Sequence, residues 1–154
     1  MFERIAICLD GSALAEQILP YAAEQAKRFS SVPVLLRVVS SPVLLTPGIP
    51  GSAGSPLVTG RREKQAEREE EESDKYLQAM AERLHKEYQL KAECVTLIGP
   101  PGQTIVEYAA DNGIGLIAIA THGRTGPGRV LFGSVADYVV KQSRLPILLI
   151  RPIT

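Results

Sequence analysis

Two kinds of apolar pattern alternate along the chain. Residues 4–9 (RIAICL), 32–39 (VPVLLRVV), 92–98 (AECVTLI), 115–120 (GLIAIA) and 146–151 (PILLIR) are short runs that are hydrophobic at almost every position and bounded by turn residues. Strict alternation would mark strands with one wet face; near-continuous hydrophobicity predicts strands covered on both faces. Helical spacing fills the gaps. In residues 12–29 (SALAEQILPYAAEQAKRF), Leu14, Ile18, Ala22 and Ala26 fall on one stripe, with Ser12 as N-cap. Pro20 lies inside that stretch and is expected to bend the helix, because it lacks a backbone donor. Tyr76, Leu77, Met80, Leu84 and Tyr88 share the apolar face of a second helix. Residues 103–113 (QTIVEYAADNG) and 134–143 (SVADYVVKQS) supply two more, the first ended by Gly113.

Strands and helices in strict alternation predict an α/β fold: a five-stranded parallel sheet with helices on both faces. The expected form is doubly wound and Rossmann-like, with strand order 3-2-1-4-5. The length of 154 residues fits a single domain, 1–154. Residues 40–60 (SSPVLLTPGIPGSAGSPLVTG) interrupt the pattern as a long connection rich in Pro, Gly and Ser, expected to be mobile. The following run, 61–75 (RREKQAEREEEESDK), is charged on nearly every side and predicts a solvated, frayed start to the second helix.

Charge narrows the function classes. Lys+Arg and Asp+Glu are 17 each, so the chain as a whole offers no electrostatic case for nucleic acid or an anionic membrane. No apolar stretch approaches the ~20 residues that span a bilayer. Met1 leads almost directly into the first strand, without the pattern of a signal peptide. Cys8 and Cys94 sit in apolar runs and form no close-spaced metal or redox motif, so they read as reduced core thiols of a cytoplasmic protein.

Candidate chemistry lies at two strand ends. Open parallel sheets bind ligands beyond the carboxyl ends of their strands, where the strand order reverses. The first strand ends in Leu9-Asp10-Gly11-Ser12, and the fourth in Ala120-Thr121-His122-Gly123. With these strands as neighbours, Asp10 and a glycine loop flank one crevice, and Asp10 is placed to accept hydrogen bonds from vicinal hydroxyls such as those of a ribose. A helix starting at Gly133-Ser134 would aim free backbone N–H groups and its positive end at an anion. Glycines in the loop let backbone approach phosphate oxygens closely. The loop is not a P-loop, since no Gly-Lys-Ser/Thr closes it, and Gly123, Gly126, Gly128 and Gly133 give no G-x-G-x-x-G in any register. From Thr121 onward there are five basic residues (Arg124, Arg129, Lys141, Arg144, Arg151) and one acidic residue, Asp137. The local excess points to a nucleotide.

At these residues the chain resembles the ATP-binding branch of the universal stress protein family, whose nucleotide loop reads G-x2-G-x9-G-[S/T]. Gly123 takes the second glycine position, nine residues separate it from Gly133-Ser134, and the first glycine position falls on Ala120, a departure that adds one methyl. ICLDGS, VLLRVV, GPPGQTIVEYA and RLPILLIRP extend the resemblance over nearly the whole chain. The resemblance implies a regulatory stress-response protein that binds ATP or AMP. It implies that Asp10 meets the ribose and Val38 the adenine. Ala120, His122, Gly123 and Arg124 would surround the phosphates, with Gly133, Ser134 and Val135 at the helix start. Any Mg would be held through the phosphates, and a homodimer would form through the last strand, 146–151. Beside each role stands a plainer one: Asp10 as a cap of the first helix, His122 and the glycines as a turn.

Little in the sequence favours turnover. No Ser-His-Asp set or carboxylate pair is placed together, His85 sits on a charged helix, and the turn after the first strand lacks the S-G-G-x-D-S loop of adenylating enzymes with this sheet topology. The expectation is a non-enzyme with at most slow hydrolysis. Two alternatives remain open at this point: a protein-interaction stress module without nucleotide, which the Ala120 departure favours, and a slow ATPase.

Overall fold

The computed structural model describes residues 1–40, 56–121 and 133–153, with the backbone alone at 56–59, 61 and 62. In chain order the elements are β1 (Arg4–Cys8), α1 (Ala13–Glu16), α2 (Leu19–Phe29), β2 (Val32–Val39), α3 (Pro56–Tyr88), β3 (Glu93–Ile98), α4 (Pro101–Asp111), β4 (Leu116–Ala120), α5 (Ser134–Gln142) and β5 (Ile147–Ile150). The strands form one parallel sheet in the order β3-β2-β1-β4-β5. Strand count and direction are those expected from the alternation of patterns, and the order is that of the expected Rossmann-like sheet.

The continuous hydrophobicity of the inner strands follows from the two cores they separate. Ile5, Ile7 and Leu9 of the β1 segment, Leu35 of β2 and Ala118 of β4 pack with Leu19, Ala22 and Ala26 of α2 and Leu77 and Leu84 of α3. Their neighbours in the pleat, Ala6, Cys8, Leu36, Ile117 and Ile119, pack on the other face with Ile105 and Ala109 of α4 and Ala136 and Val139 of α5. All five β4 residues are buried, whereas all four of β5 are only half-buried, as an edge strand requires.

Pro20 does more than bend the first helical stretch. It divides that stretch into α1 and α2. Proline removes one donor and crowds the carbonyl four residues earlier, here that of Glu16. The ladder tightens at that point: the Gln17 N–H donates to the Leu14 carbonyl at 3.3 Å and the Ile18 N–H to the Ala15 carbonyl at 3.2 Å. Pro20 then sits in the first turn of α2, where its missing donor leaves nothing unsatisfied. Ser12 caps α1 as expected, accepting the Ala15 N–H on Oγ at 3.1 Å.

α3 is one helix of 33 residues, about 50 Å long at 1.5 Å per residue. Residues 56–60 of the connection expected to be mobile belong to it, and residues 41–55 lie outside the described residues. Ser73, Leu77 and Leu84 are buried against the sheet, while the charged run before them is mostly exposed. Packing at one end carries a polar helix that its own sequence supports less well.

α4 and α5 lie close because of one glycine. A Cβ on Gly102 would stand 2.8 Å from the Tyr138 Cβ, so any larger residue forces the two helices apart. Gly113, at φ +66°, follows the α4 C-cap Asn112 and stops that helix.

Docking of α3 through its buried seam has a measurable consequence. Leu77→Ala should cost about 2–5 kcal/mol in urea unfolding, since it empties a fully buried site. Glu67→Ala, on the exposed charged stretch, should stay within about 0.5 kcal/mol. Similar effects from both would mean that Leu77 does not anchor the helix.

Candidate functional site

β1 and β4 are hydrogen-bonded neighbours, with Ile5, Ala6 and Ile7 opposite Leu116, Ile117 and Ala118. The chain leaves β1 towards α1 on one face of the sheet, while α5 packs on the other face, so a crevice opens between the two strand ends. A cavity of about 320 Å³ occupies it. Cys8, Leu36, Ile119 and Ile105 form an apolar floor. The rim is polar or small: Asp10 after β1, Val38 in β2, Ala120 ending β4, and Gly133, Ser134 and Val135 at the start of α5. An apolar pocket with a few converging polar groups is the usual form of a small-molecule site.

Six of the nine candidate residues therefore wall one cavity. His122, Gly123 and Arg124 lie outside the described residues. Local chemistry explains the rim. Asp10 accepts the Ser12 N–H on Oδ1 at 2.9 Å, a contact that closes the turn through Gly11 at φ +86°. Capping of α1 falls to Ser12, not Asp10. At α5 the N-cap is Gly133, in an extended conformation with no side chain to cap the helix. The first turn of α5 thus lines the cavity with no side-chain cap among the described residues, at the positive end of the helix dipole. Next to Ala120, Thr121 donates its N–H to the Ile150 carbonyl at 2.9 Å, and its hydroxyl is buried with no hydrogen-bond partner among the described residues.

The Cys8 thiol on the cavity floor is pushed up to about 12 by burial. It stays a neutral, poorly nucleophilic wall at physiological pH. Cys94, half-buried on β3, is shifted in the same direction by burial and then by Asp74, and both cysteines are free. No group of three or more His, Cys, Asp or Glu among the described residues is arranged to hold a metal ion. No described helix is long and apolar enough to cross a membrane.

The contributions of α4 (Pro101, Ile105) and of the floor residues were not singled out from sequence. Only the Pro-Pro-Gly at 100–102, just after the third strand, hinted that α4 starts close by. Arg37, stacked over Tyr76 beside the Gly11 turn, carried no signal at all.

Residues 1–151 match the universal stress protein family. The chain is 31% identical to universal stress protein MJ0531 of Methanocaldococcus jannaschii over 152 residues, which is 98% of this chain and 83% of that protein. The chain belongs to the universal stress protein family. Among solved structures, that of MJ0577 superposes with a TM-score of 0.79 at 23% identity, covering 100% of this chain and 99% of the other. A universal stress protein in complex with cAMP matches at TM-score 0.68 and 16% identity, covering 99% and 98%. One from Archaeoglobus fulgidus in complex with dAMP matches at 0.62 and 19%, covering 97% of each chain. At these identities the structures share the family's α/β fold.

Burial of Cys8 links folding to alkaline pH. Its pKa is raised in the folded state, from 9.0 to about 12. Between those values the unfolded chain loses a proton that the folded chain keeps, so stability is retained below about pH 9 and falls as pH rises towards 12. The slope from this one group is at most about 1.4 kcal/mol per pH unit. Urea midpoints between pH 8 and 11 should fall less steeply for Cys8→Ala than for the parent. Parallel curves would mean that the thiol ionises as readily folded as unfolded.

Proposed function

We propose that the chain is a regulatory stress-response protein that binds an adenine nucleotide, ATP or AMP, in the cavity between β1 and β4. One observation carries the reading: Asp10, Val38, Ala120 and the Gly133–Val135 start of α5, from four separate parts of the chain, wall the same cavity. The residues fit such a ligand. Asp10 offers a carboxylate for ribose hydroxyls, and Val38 with the apolar floor offers a face for the adenine. The α5 N-terminus offers backbone N–H donors for phosphate, with no side-chain cap among the described residues. His122, Gly123 and Arg124 complete the phosphate loop in this reading, and Mg enters only through the phosphates. The complexes of related folds with cAMP and dAMP support an adenine-bearing ligand. Binding without chemical turnover is the assigned role, and the two free cysteines suit a cytoplasmic setting.

Two substitutions test the site. Gly133 has φ −59° and ψ 158°, a conformation Asp adopts freely at an N-cap. Gly133→Asp would occupy the α5 N–H groups with its own carboxylate, leaving the fold as stable as before or slightly more so. ATP affinity should fall about tenfold or more, the scale of a lost partly buried helix-terminus anion contact. Asp10→Ala should weaken ATP and AMP but spare inorganic triphosphate. Unchanged ATP affinity in Gly133→Asp, by calorimetry, would place the phosphates elsewhere.

The half-buried apolar edge strand β5 also leads to a proposed homodimer in which the 146–151 strands of two chains meet. Light scattering at about 10 μM, a modest concentration for a stable pair, should give twice the chain mass. A monomer at that concentration would rule out a stable dimer.

A further inference from the structure

The Asp10–Gly11 turn has a second side, facing away from the cavity. Val38 points into the cavity and Leu35 into the α2–α3 core, so the pleat directs Arg37 towards α3. The Arg37 guanidinium carbon lies 5.1 Å from the centroid of the Tyr76 ring of α3. Its Nη2 lies 3.2 Å from where a Cβ on Gly11 would stand, so the guanidinium packs directly on the backbone of the turn. The Tyr76 hydroxyl donates to Glu16 Oε1 at 3.1 Å, and Arg83 Nη1 donates to Glu16 Oε2 at 3.4 Å. A continuous series of contacts therefore joins α3 and α1 to the turn that carries Asp10. Burial pushes the pKa of the Tyr76 hydroxyl up most, Glu16 and Asp10 push it further up and Arg37 opposes them, so all three charges act on this ring.

We infer that Arg37 is a positioning residue for the ligand: seated on Tyr76, it holds the Asp10–Gly11–Ser12 turn in the conformation that presents the Asp10 carboxylate to the cavity. Glycine at positive φ makes the turn permissive, so its shape depends on what surrounds it. On one side the Asp10 carboxylate accepts the Ser12 N–H, and Ser12 caps α1. On the other side the flat guanidinium fills the space that a Gly11 side chain would take. A planar guanidinium stacks on an aromatic ring and faces a backbone at once, which the ammonium of lysine does less well. This inference rests on the nucleotide reading of the cavity and adds the residues outside it that govern ribose recognition.

The test compares AMP with 2′,3′-dideoxy-AMP by calorimetry, using the full chain and the variants Arg37→Met, Arg37→Lys, Tyr76→Leu, Asp10→Asn and Arg37→Met/Asp10→Asn. Arg37→Met should weaken AMP about tenfold, the scale of a hydrogen bond to a charged group. The same variant should change dideoxy-AMP by less than about twofold. Arg37→Lys should recover part of the loss, Tyr76→Leu should share its direction, and the double variant should bind AMP no worse than Asp10→Asn. Equal losses for both nucleotides would mean that Arg37 touches the ligand or only supports the fold, and would overturn the proposal, as would additive losses. A ligand-free readout separates this from the nucleotide reading. Hydrogen exchange at the Ser12 amide should speed up about tenfold in Arg37→Met, a scale matching the affinity change, while the Ile7 amide in β1 is unchanged. Unchanged Ser12 exchange in the folded variant overturns the positioning role. A parent that binds neither nucleotide, with Ser12 exchange still dependent on Arg37, refutes the nucleotide reading and supports Arg37 as the group that holds the turn.

Discussion

β1 hydrogen-bonds to β4, a strand from the far half of the chain, and the cavity exists because of that pairing. Successive strands on the β1–β2–β3 side are added in one direction, and β4 and β5 are added in the other. Right-handed crossovers then place α2 and α3 on one face and α4 and α5 on the other. At the reversal neither set of helices can cover the strand ends, so space is left beyond Cys8 and Ile119 that no side chain of the described residues fills. Both faces of the inner strands are buried, which allows little register slip: a shift of one residue would exchange the two cores.

The chemistry of the cavity follows from what the reversal brings there. The floor consists of strand side chains that belong to the α4–α5 core, hence its apolar character and its inert thiol. Polar groups come from chain that has just left a strand or is about to enter a helix, where backbone N–H groups are not yet used. Asp10 and the α5 N-terminus are placed by different faces of the sheet, one by α1 and the other by the Gly102–Tyr138 contact that sets α5 against α4. A ligand with hydroxyls near one end and negative charge near the other matches that separation. Arg37 and Tyr76 extend the dependence to α3, whose buried seam thus bears on the site as well as on stability.

Strand positions were legible because burial on both faces leaves an unmistakable run of apolar residues, and alternation with helices made the sheet parallel; the strand order matches the Rossmann-like expectation, which alternation by itself leaves open. The division of residues 12–29 into α1 and α2 was not legible: Pro20 marks a disturbance, but the break falls a turn earlier, at the carbonyl its ring would crowd. The extent of α3 was understated, because its charged first half has no apolar stripe and is carried by the packing of Ser73, Leu77 and Leu84. Of the residues that line the cavity, Asp10, Val38, Ala120 and Gly133–Val135 were named from motif spacing and resemblance, since they sit at strand and helix ends that a linear pattern marks. Leu36, Ile105 and Ile119 look like any core residue in sequence, and only the sheet's reversal makes them a cavity wall. Arg37 stands as a single charge in an apolar strand, and nothing in the linear pattern shows that it stacks on a ring 39 positions later in the chain.

Binding at the β1–β4 crevice is best measured by following backbone amide resonances of the isotope-labelled chain during titration with AMP. The account predicts saturable shifts concentrated at Asp10, Gly11, Val38, Ala120, Thr121 and Gly133–Ala136, with the β3 and β5 edges nearly unmoved. Saturable shifts clustered anywhere else, or none at millimolar AMP (roughly −4 kcal/mol of affinity or weaker), would contradict it.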